Sequence, residues 1–294
     1  MKFLLMPNFE KERAVEITSR VCDVLSEMQV TPCMNIEKRP FFDHPLVEYG
    51  KFFELLSGVD AVIAIGGDGT IIHAAKHASE VGSNVPVAGI NTGRLGFLAA
   101  FEPDHLEDLK ILVTGDYRVE KRMMLRIDLL RKDQDRILYA LNDAVISNSA
   151  AAKLIDFTIL MDSNPITSYR ADGMIFATPT GSTAYSLSAG GAIVDPAMDA
   201  IVLTPICPHS MFSRSLIFPA EHTFELQLSM RQDCSAFLTI DGVEALPITP
   251  DDRIQIRQSH KFAHIIFPKA LDFHRIFNKK IMKRGTILED ETTC

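Results

Sequence analysis

The chain has few cysteines, and their arrangement argues against the sites that cysteines usually build. Five cysteines are spread over 294 residues, and no two of them form a C-x-x-C pair. An odd, scattered set disfavours both a disulfide framework and a zinc ribbon, and it fits a reducing compartment.

Long apolar runs are also missing. No uninterrupted run approaches the ~18 residues that a membrane span requires. The start, Met1–Pro7, is too short and too soon interrupted by proline to be a signal peptide. We therefore expect a cytoplasmic protein that does not associate with membranes.

The chain also lacks an excess of positive charge. Its net charge is −8 and its pI is about 5.6, so partners with a polyanionic backbone, such as nucleic acids, are not expected. Hydrophobic residues make up 47% and charged residues 23% of the chain, an ordinary globular composition. The length predicts about two domains.

Several catalytic and metal-binding motifs are absent as well. The sequence has no G-x-S-x-G nucleophile elbow and no H-E-x-x-H zinc motif. His73 and His77 have the i, i+4 spacing of metal ligands on a helix, but no third ligand is evident in the sequence. We therefore predict no metal-binding residues in the chain itself.

A glycine-rich turn carries the strongest positive signal. Gly66–Thr70 reads G-G-D-G-T, follows the apolar run Val59–Ile65 and precedes a helix-like segment that we expect to continue to about Val81. A strand, a glycine turn and a helix start together expose backbone N–H groups that suit phosphate. The turn is neither a Walker P-loop nor a G-x-G-x-x-G fingerprint.

Asp68 distinguishes this turn from a passive phosphate loop. A carboxylate among phosphate-facing amides repels phosphate unless it binds a metal, holds a hydroxyl or takes a proton from one. Asp68 therefore indicates phosphate chemistry, and the alternative is an ordinary turn in which Asp68 caps the helix.

The pattern of strands and helices predicts two kinds of domain. In the first 122 residues, strands such as Lys2–Met6 and Pro86–Ile90 alternate with helical periodicity, which predicts an α/β domain with a parallel, doubly wound sheet. From 123 to 267, apolar residues recur at period two, which predicts a mainly antiparallel β domain. A helix over Ala270–Lys283 would then complete the first domain, which would span 1–122 with 268–294.

Three further segments combine polar residues with glycine or apolar strands. Asn91–Leu98 follows a strand and is either a ligand loop or a plain one. Asn142-Asp143 interrupts an apolar stretch, either as a turn or as acceptors for vicinal hydroxyls such as a ribose diol. Asp172–Gly191 is dense in hydroxyls and glycines and contains Tyr185, which suits a polar ligand with a stacking face.

Together these motifs, in this order, resemble those of the NAD kinases. The G-G-D-G-T turn alone is shared with lipid kinases and, more loosely, with phosphofructokinases. The resemblance implies that the chain transfers the γ-phosphate of ATP to the adenosine ribose 2′-hydroxyl of NAD, with Mg²⁺ or another divalent cation as cofactor. It also implies a homodimer or homotetramer with sites near the subunit boundary.

The resemblance assigns a catalytic role to Asp68, which would accept the proton of the 2′-hydroxyl. Gly69 would lie beside the phosphates and His73 near the ligand, while Asn142 and Asp143 would bind adenosine. Asp143 departs from the glutamate of many members but keeps the charge. The other residues assigned to substrate binding are Phe97, Lys153, Arg170, Asp172, Thr183, Ala184, Tyr185, Ser186, Leu187, Ser188 and Gly242.

Arg170 bears on the phosphoryl donor. It matches a position that is Arg in members resembling the ATP-restricted bacterial type and Gly in members that also use polyphosphate. Two alternatives to the NAD kinase interpretation are a lipid or sugar kinase of the same group and a dinucleotide sensor without activity. A sensor has no need of the Asp68 carboxylate.

Overall fold

The computed structural model describes residues 1–80, 84–93, 96–148, 154–209, 213–229 and 235–280. The chain forms two compact units. One contains residues 1–121 together with the segment from Ala263 onward, and the other contains residues 122–262. The two long strands Tyr117–Leu130 and Arg253–Pro268 carry the chain from one unit to the other.

The first unit is built around a parallel sheet. Its strands and helices, in chain order, are β1 Lys2–Pro7, α1 Ala14–Glu27, β2 Thr31–Asn35, β3 Glu48–Gly50, α2 Phe52–Leu56, β4 Ala61–Gly66, α3 Asp68–Glu80, β5 Val87–Asn91 and α4 Lys110–Thr114. The strand order is β5-β4-β1-β2-β3, and all of these pairings are parallel. Ile265, from the end of the strand Arg253–Pro268, pairs in parallel with Val87.

Burial explains why these segments adopt their structures. β4 and β5 are buried along their whole length, as their continuous apolar sequences predict for inner parallel strands. The helix α1 buries Ala14, Ile17, Thr18, Val21, Cys22 and Leu25, the i, i+3, i+4 stripe of an amphipathic helix. Val15 is apolar but lies off this stripe and is exposed.

The second unit consists of antiparallel strands. After β6 Tyr117–Leu130, they are β7 Arg136–Ala140, β8 Asp143–Asn148, β9 Ile155–Met161, β10 Asn164–Ala171, β11 Gly173–Ala177, β12 Ala200–Ile206, β13 Leu216–Pro219, β14 Phe224–Ser229, β15 Ala236–Ile240, β16 Glu244–Ile248 and β17 Arg253–Pro268. One sheet has the order β13-β12-β11-β8-β15-β16. Outside this sheet, β10 pairs with β9, β9 with β14, and β14 with the start of β17, all antiparallel. A short helix, α5 Tyr185–Ser188, follows a 3-10 turn at Thr180–Thr183.

The predicted fold class is confirmed: a mostly parallel α/β sheet precedes an antiparallel β sheet. Several boundaries differ from the prediction. β4 begins at Ala61, two residues after the predicted start. Just before it, the backbone N–H of Asp60 donates to the carbonyl of Lys2 at 2.9 Å, and the Asp60 carboxylate accepts from the N–H of Lys2 at 2.8 Å. The last helix covers 273–280 of the described residues. It begins after Asp272, whose Oδ1 accepts from the N–H of Arg275 as a helix cap does.

Candidate functional site

Asp68 opens α3, directly after the strand β4 and the turn residue Gly67. Its carboxylate turns away from its own helix and binds the backbone of the Asn91–Leu98 loop. Oδ2 accepts a 2.8 Å hydrogen bond from the N–H of Phe97, and Oδ1 accepts a 3.0 Å bond from the N–H of Leu98. A carboxylate has about four acceptor positions, so these two bonds orient Asp68 and leave others for a ligand.

Two glycines make this arrangement possible. A Cβ on Gly96 would lie 2.0 Å from Oδ1 of Asp68, and one on Gly66 would lie 2.2 Å from Oγ1 of Thr70. Both distances are far below van der Waals contact, so any side chain at either position would displace its neighbour. At Gly67 and Gly69, in contrast, the described residues leave the space around the Cβ position empty.

The start of the Asn91–Leu98 loop is fixed by Asn91. Its buried side chain accepts a hydrogen bond from the N–H of Gly93 at 3.1 Å and donates one to the carbonyl of Gly93 at 3.0 Å. Arg94 and Leu95 lie outside the described residues. The ring of Phe97 packs against Phe273 at 6.3 Å between centroids.

His73 and His77 form a pair on the surface of α3. Their Nε2 atoms lie 3.2 Å apart, and Nδ1 of His77 lies 3.4 Å from Oε2 of Glu80. Desolvation lowers the pKa of His73, and the neighbouring His77 and Lys76 lower it further, which favours the neutral form of the ring. Within the described residues, no three His, Cys, Asp or Glu side chains are grouped as metal ligands would be.

The second unit contains a pocket of about 370 Å³. It lies over the sheet at the strands β8 and β15 and at the start of α5. Five of its lining residues were predicted from the sequence, namely Asn142, Asp143, Ala184, Tyr185 and Gly242, and four were not, namely Val145, Ser147, Thr239 and Asp241. Tyr185 is 47% exposed, which leaves a ring face open to a ligand.

Asp143 and Asp241 place two carboxylates at this pocket. Asp143 is only 4% exposed, and its burial raises its pKa to about 7, with a further contribution from the negative charge of Asp241. Asp143 therefore titrates near neutral pH. Such a buried carboxyl beside a cavity is typical of a binding or catalytic group.

The bend at Leu141–Asn142 is held by the segment that follows β11. Thr178 donates its hydroxyl to the carbonyl of Leu141 at 2.6 Å and its backbone N–H to the carbonyl of Asn142 at 2.8 Å. A Cβ on Gly181 would lie 2.0 Å from the carbonyl oxygen of Asn142, so only glycine permits this packing. The two sequence motifs are thus parts of one folded structure.

Many hydroxyls of the Asp172–Gly191 segment serve the fold itself. Ser182 donates to the carbonyl of Pro179 at 2.6 Å and accepts from the N–H of Val194 at 3.0 Å. Ser186 is fully buried, and its hydroxyl lies 3.0 Å from that of Thr204. These two hydroxyls are therefore bonded within the second unit, and the predicted ligand role of the segment stays a prediction.

The remaining predicted residues lie in varied places. Arg170 forms an exposed, bidentate ion pair with Asp156 on the neighbouring strand, with bonds of 2.7 and 2.9 Å. Asp172 lies between β10 and β11, and its backbone is bonded to Asn148 and Ile206. Thr183 ends the 3-10 turn, and Leu187 and Ser188 lie in α5. Lys153 is outside the described residues.

Three of the four pocket residues that sequence reasoning missed, namely Val145, Ser147 and Thr239, follow a simple rule. Asp143, Val145 and Ser147 alternate along β8 and therefore share one face, and Thr239 is the cross-strand partner of Val145. The period-two pattern could have identified this face. The contact of Asp241 with residues 141–143, about a hundred positions away, has no local signal in the sequence.

No helix within the described ranges is long and apolar enough to cross a membrane.

Comparison with known proteins covers both units. Residues 3–117 match the family model of the ATP-NAD kinase N-terminal domain, and residues 141–267 match that of the ATP-NAD kinase C-terminal domain. An NAD kinase from Thermoanaerobacter is 36% identical over 285 residues, which cover 95% of this chain and 98% of that protein. An NAD kinase from Moorella thermoacetica is 34% identical over 98% of this chain and 91% of its own length.

Solved structures show the same fold. A yeast NADH kinase complexed with NADH superimposes with a TM-score of 0.84 and 26% identity, covering 96% of this chain and 87% of the yeast chain. An Archaeoglobus fulgidus NAD kinase in complex with ATP superimposes with a TM-score of 0.74 and 26% identity. The match covers 96% of this chain and 99% of the Archaeoglobus chain. On this evidence the chain belongs to the ATP-NAD kinase family.

Proposed function

We propose that this chain carries out the reaction of its family, the ATP-dependent phosphorylation of NAD, with Asp68 as the group that accepts the proton of the adenosine ribose 2′-hydroxyl. The observation that carries this proposal is the orientation of the Asp68 carboxylate by the N–H groups of Phe97 and Leu98. A base held in this way is positioned before the substrate arrives, and positioning contributes much of the rate in phosphoryl transfer.

The phosphates of ATP are proposed to lie against the start of α3. This helix has 13 residues, and its first N–H groups and dipole favour negative charge. The open space at Gly69 allows a phosphate to approach the backbone closely. The likeness to the Archaeoglobus fulgidus structure in complex with ATP supports ATP as the donor.

The adenosine of NAD is proposed to bind in the pocket of the second unit. Asn142 and Asp143 supply an amide and a carboxylate that can bind the two hydroxyls of a ribose, and the open ring of Tyr185 can stack on a base. The likeness to the yeast NADH kinase complexed with NADH supports a dinucleotide as the ligand. The further residues proposed to contact substrate are Phe97, His73, Lys153, Arg170, Asp172, Thr183, Ala184, Ser186, Leu187, Ser188 and Gly242.

A divalent cation such as Mg²⁺ is proposed to bind together with ATP. Mg²⁺ usually keeps several waters and takes one or two carboxylates in addition to substrate phosphates. Asp68 fits this mode, because its two hydrogen bonds leave acceptor positions that would supply one such carboxylate oxygen. When bound, the cation would neutralise charge on the transferring phosphate.

The chain is also proposed to act as a homodimer or homotetramer, with sites near the subunit boundary, as the resemblance implies. Light scattering on the purified protein would measure this directly, and a monomer that retains full activity would contradict it.

The function is tested with purified protein, Mg²⁺ and each combination of NAD or NADH with ATP or polyphosphate, by measuring NADP(H). Product with ATP is expected. Binding of NAD without product from any donor would instead identify a dinucleotide sensor. Phosphorylation of diacylglycerol in a parallel reaction, without NADP(H) formation, would identify a lipid kinase.

A further inference from the structure

We propose that Asp241 is a positioning residue for NAD binding: its carboxylate holds the backbone of residues 141–143 so that Asn142 and Asp143 present their side chains to the dinucleotide. This inference rests on the proposed role of the pocket in the second unit. It concerns a residue that would act through its neighbours and that the sequence reasoning did not select.

The hydrogen bonds of Asp241 carry the inference. Oδ1 accepts from the N–H of Asn142 at 2.7 Å and from the N–H of Asp143 at 3.2 Å, and Oδ2 accepts from the N–H of Leu141 at 3.1 Å. The backbone N–H of Asp241 donates in return to the carbonyl of Asp143 at 3.0 Å. One carboxylate thus binds three successive N–H groups, an arrangement that only an acceptor with two oxygens can make.

The backbone of Asp241 is adapted to this task. It opens the turn between β15 and β16, where Asp241 has φ 49° and Gly242 has φ 71°, and the N–H of Val243 bonds to the carbonyl of Ile240. An Asp-Gly pair with two positive φ angles is the favoured tight hairpin turn. Because a tight turn has little conformational freedom, it holds the Asp241 carboxylate in a fixed position relative to the backbone of residues 141–143.

The bend is also held from its opposite side. Thr178 binds the carbonyls of Leu141 and Asn142, while Asp241 binds the N–H groups of the same two residues. Both polar groups of each peptide are therefore satisfied within the second unit. The bend at Leu141–Asn142 has no helix or sheet hydrogen bonds of its own, yet these contacts make it a rigid support for the side chains of Asn142 and Asp143.

The charge of Asp241 has a second effect on the site. The ionisable side chains that line the pocket with Asp143 are Asp241 and Tyr185. The negative charge of Asp241 contributes to the raised pKa of Asp143, after the larger effect of burial. Removing that charge should lower the pKa of Asp143, so that this carboxyl ionises at a lower pH.

The experiment compares Asp241→Asn and Asp241→Gly with the full-length parent. Asparagine keeps the shape and tolerates positive φ but replaces one acceptor oxygen with a donor, and glycine removes the carboxylate without straining the turn. We expect the KM and Kd for NAD to rise roughly ten- to hundredfold in both variants, because a displacement of a binding group by about 1 Å can cost that much. The KM for ATP should stay unchanged. In Asp241→Asn, the pH at which NAD binding is half lost should move below that of the parent.

Val243→Ser is the matched control, because Val243 is 81% exposed in the same hairpin. It should bind NAD as the parent does. An equal rise in KM for both substrates, loss of cooperative unfolding, or unaltered NAD affinity in the Asp241 variants would each overturn the inference. A parent protein that binds no NAD would instead contradict the proposed function, so the two failures are distinguishable.

Discussion

Oδ2 of Asp68 accepts a 2.8 Å hydrogen bond from the backbone N–H of Phe97. This bond joins the turn after β4 to the loop after β5, at the carboxyl ends of two neighbouring parallel strands. Ligands of α/β proteins bind at such edges. The orientation of the Asp68 carboxylate therefore depends on the second loop as well as on its own turn.

Gly96→Ala should reduce turnover because its Cβ would lie 2.0 Å from Oδ1 of Asp68. The carboxylate or the loop must then shift, and we expect a loss of roughly 10- to 1000-fold in kcat, since a displacement of about 1 Å in a catalytic group can cost a hundredfold. Steady-state kinetics at saturating NAD and ATP measures the effect.

Gly93→Ala is the control for this substitution, because it lies in the same loop and a Cβ there has open space among the described residues. Its turnover should stay within about twofold of the parent, and its stability within about 0.5 kcal/mol. Equal losses in the two alanine variants would mean that the loop tolerates no side chain anywhere, and the specific contact with Asp68 would not be the cause.

Asp143→Asn should stabilise the protein at pH 8 while weakening NAD binding. The pKa of Asp143 is raised to about 7, so its protonated form is favoured by folding. The stability that this proton provides is complete below about pH 4 and is lost as the pH rises through 7. An uncharged Asn avoids that loss, with a gain of up to about 4 kcal/mol, because one pKa unit corresponds to about 1.4 kcal/mol.

Urea unfolding of Asp143→Asn and the parent at several pH values tests this gain, which should shrink as the pH falls towards 4. The exposed Asp133→Asn serves as the control and should change stability by less than about 0.5 kcal/mol. A destabilised Asp143→Asn protein at pH 8 would show that the Asp143 charge is compensated in the folded state.

Tyr185→Ala should raise the KM for NAD without a comparable change in the KM for ATP. The ring is half exposed at the pocket, and stacking of a base on an aromatic side chain is worth about 1–3 kcal/mol, or roughly five- to hundredfold in affinity. Tyr185→Phe keeps the ring and should stay within about threefold of the parent. If both variants bind NAD as the parent does, the ring does not contact the dinucleotide.

Much of the fold follows from local patterns in the sequence. The continuous apolar runs of β4 and β5 predict buried parallel strands, and the alternation along β9 and β14 predicts antiparallel ones. Asp68 was recognisable because a carboxylate in a phosphate turn is chemically unusual. Each of these signals lies within a few residues.

The features that sequence reasoning missed depend on distant contacts. Asp241 binds residues about a hundred positions earlier, and Thr178 and Gly181 pack on the bend at Asn142. The hydroxyls of Ser182 and Ser186 resemble ligand-binding groups in the sequence, yet they bond inside the second unit because the segment folds into compact turns. Composition alone does not distinguish these two uses of a serine.

The most direct test of the account is the turnover of Asp68→Asn, measured together with its affinity for NAD and its cooperative unfolding. If Asp68 accepts the proton of the 2′-hydroxyl, a folded Asp68→Asn protein should bind NAD within a fewfold of the parent but lose about 10²- to 10⁴-fold in kcat. Turnover near that of the parent in a correctly folded Asp68→Asn protein would contradict it.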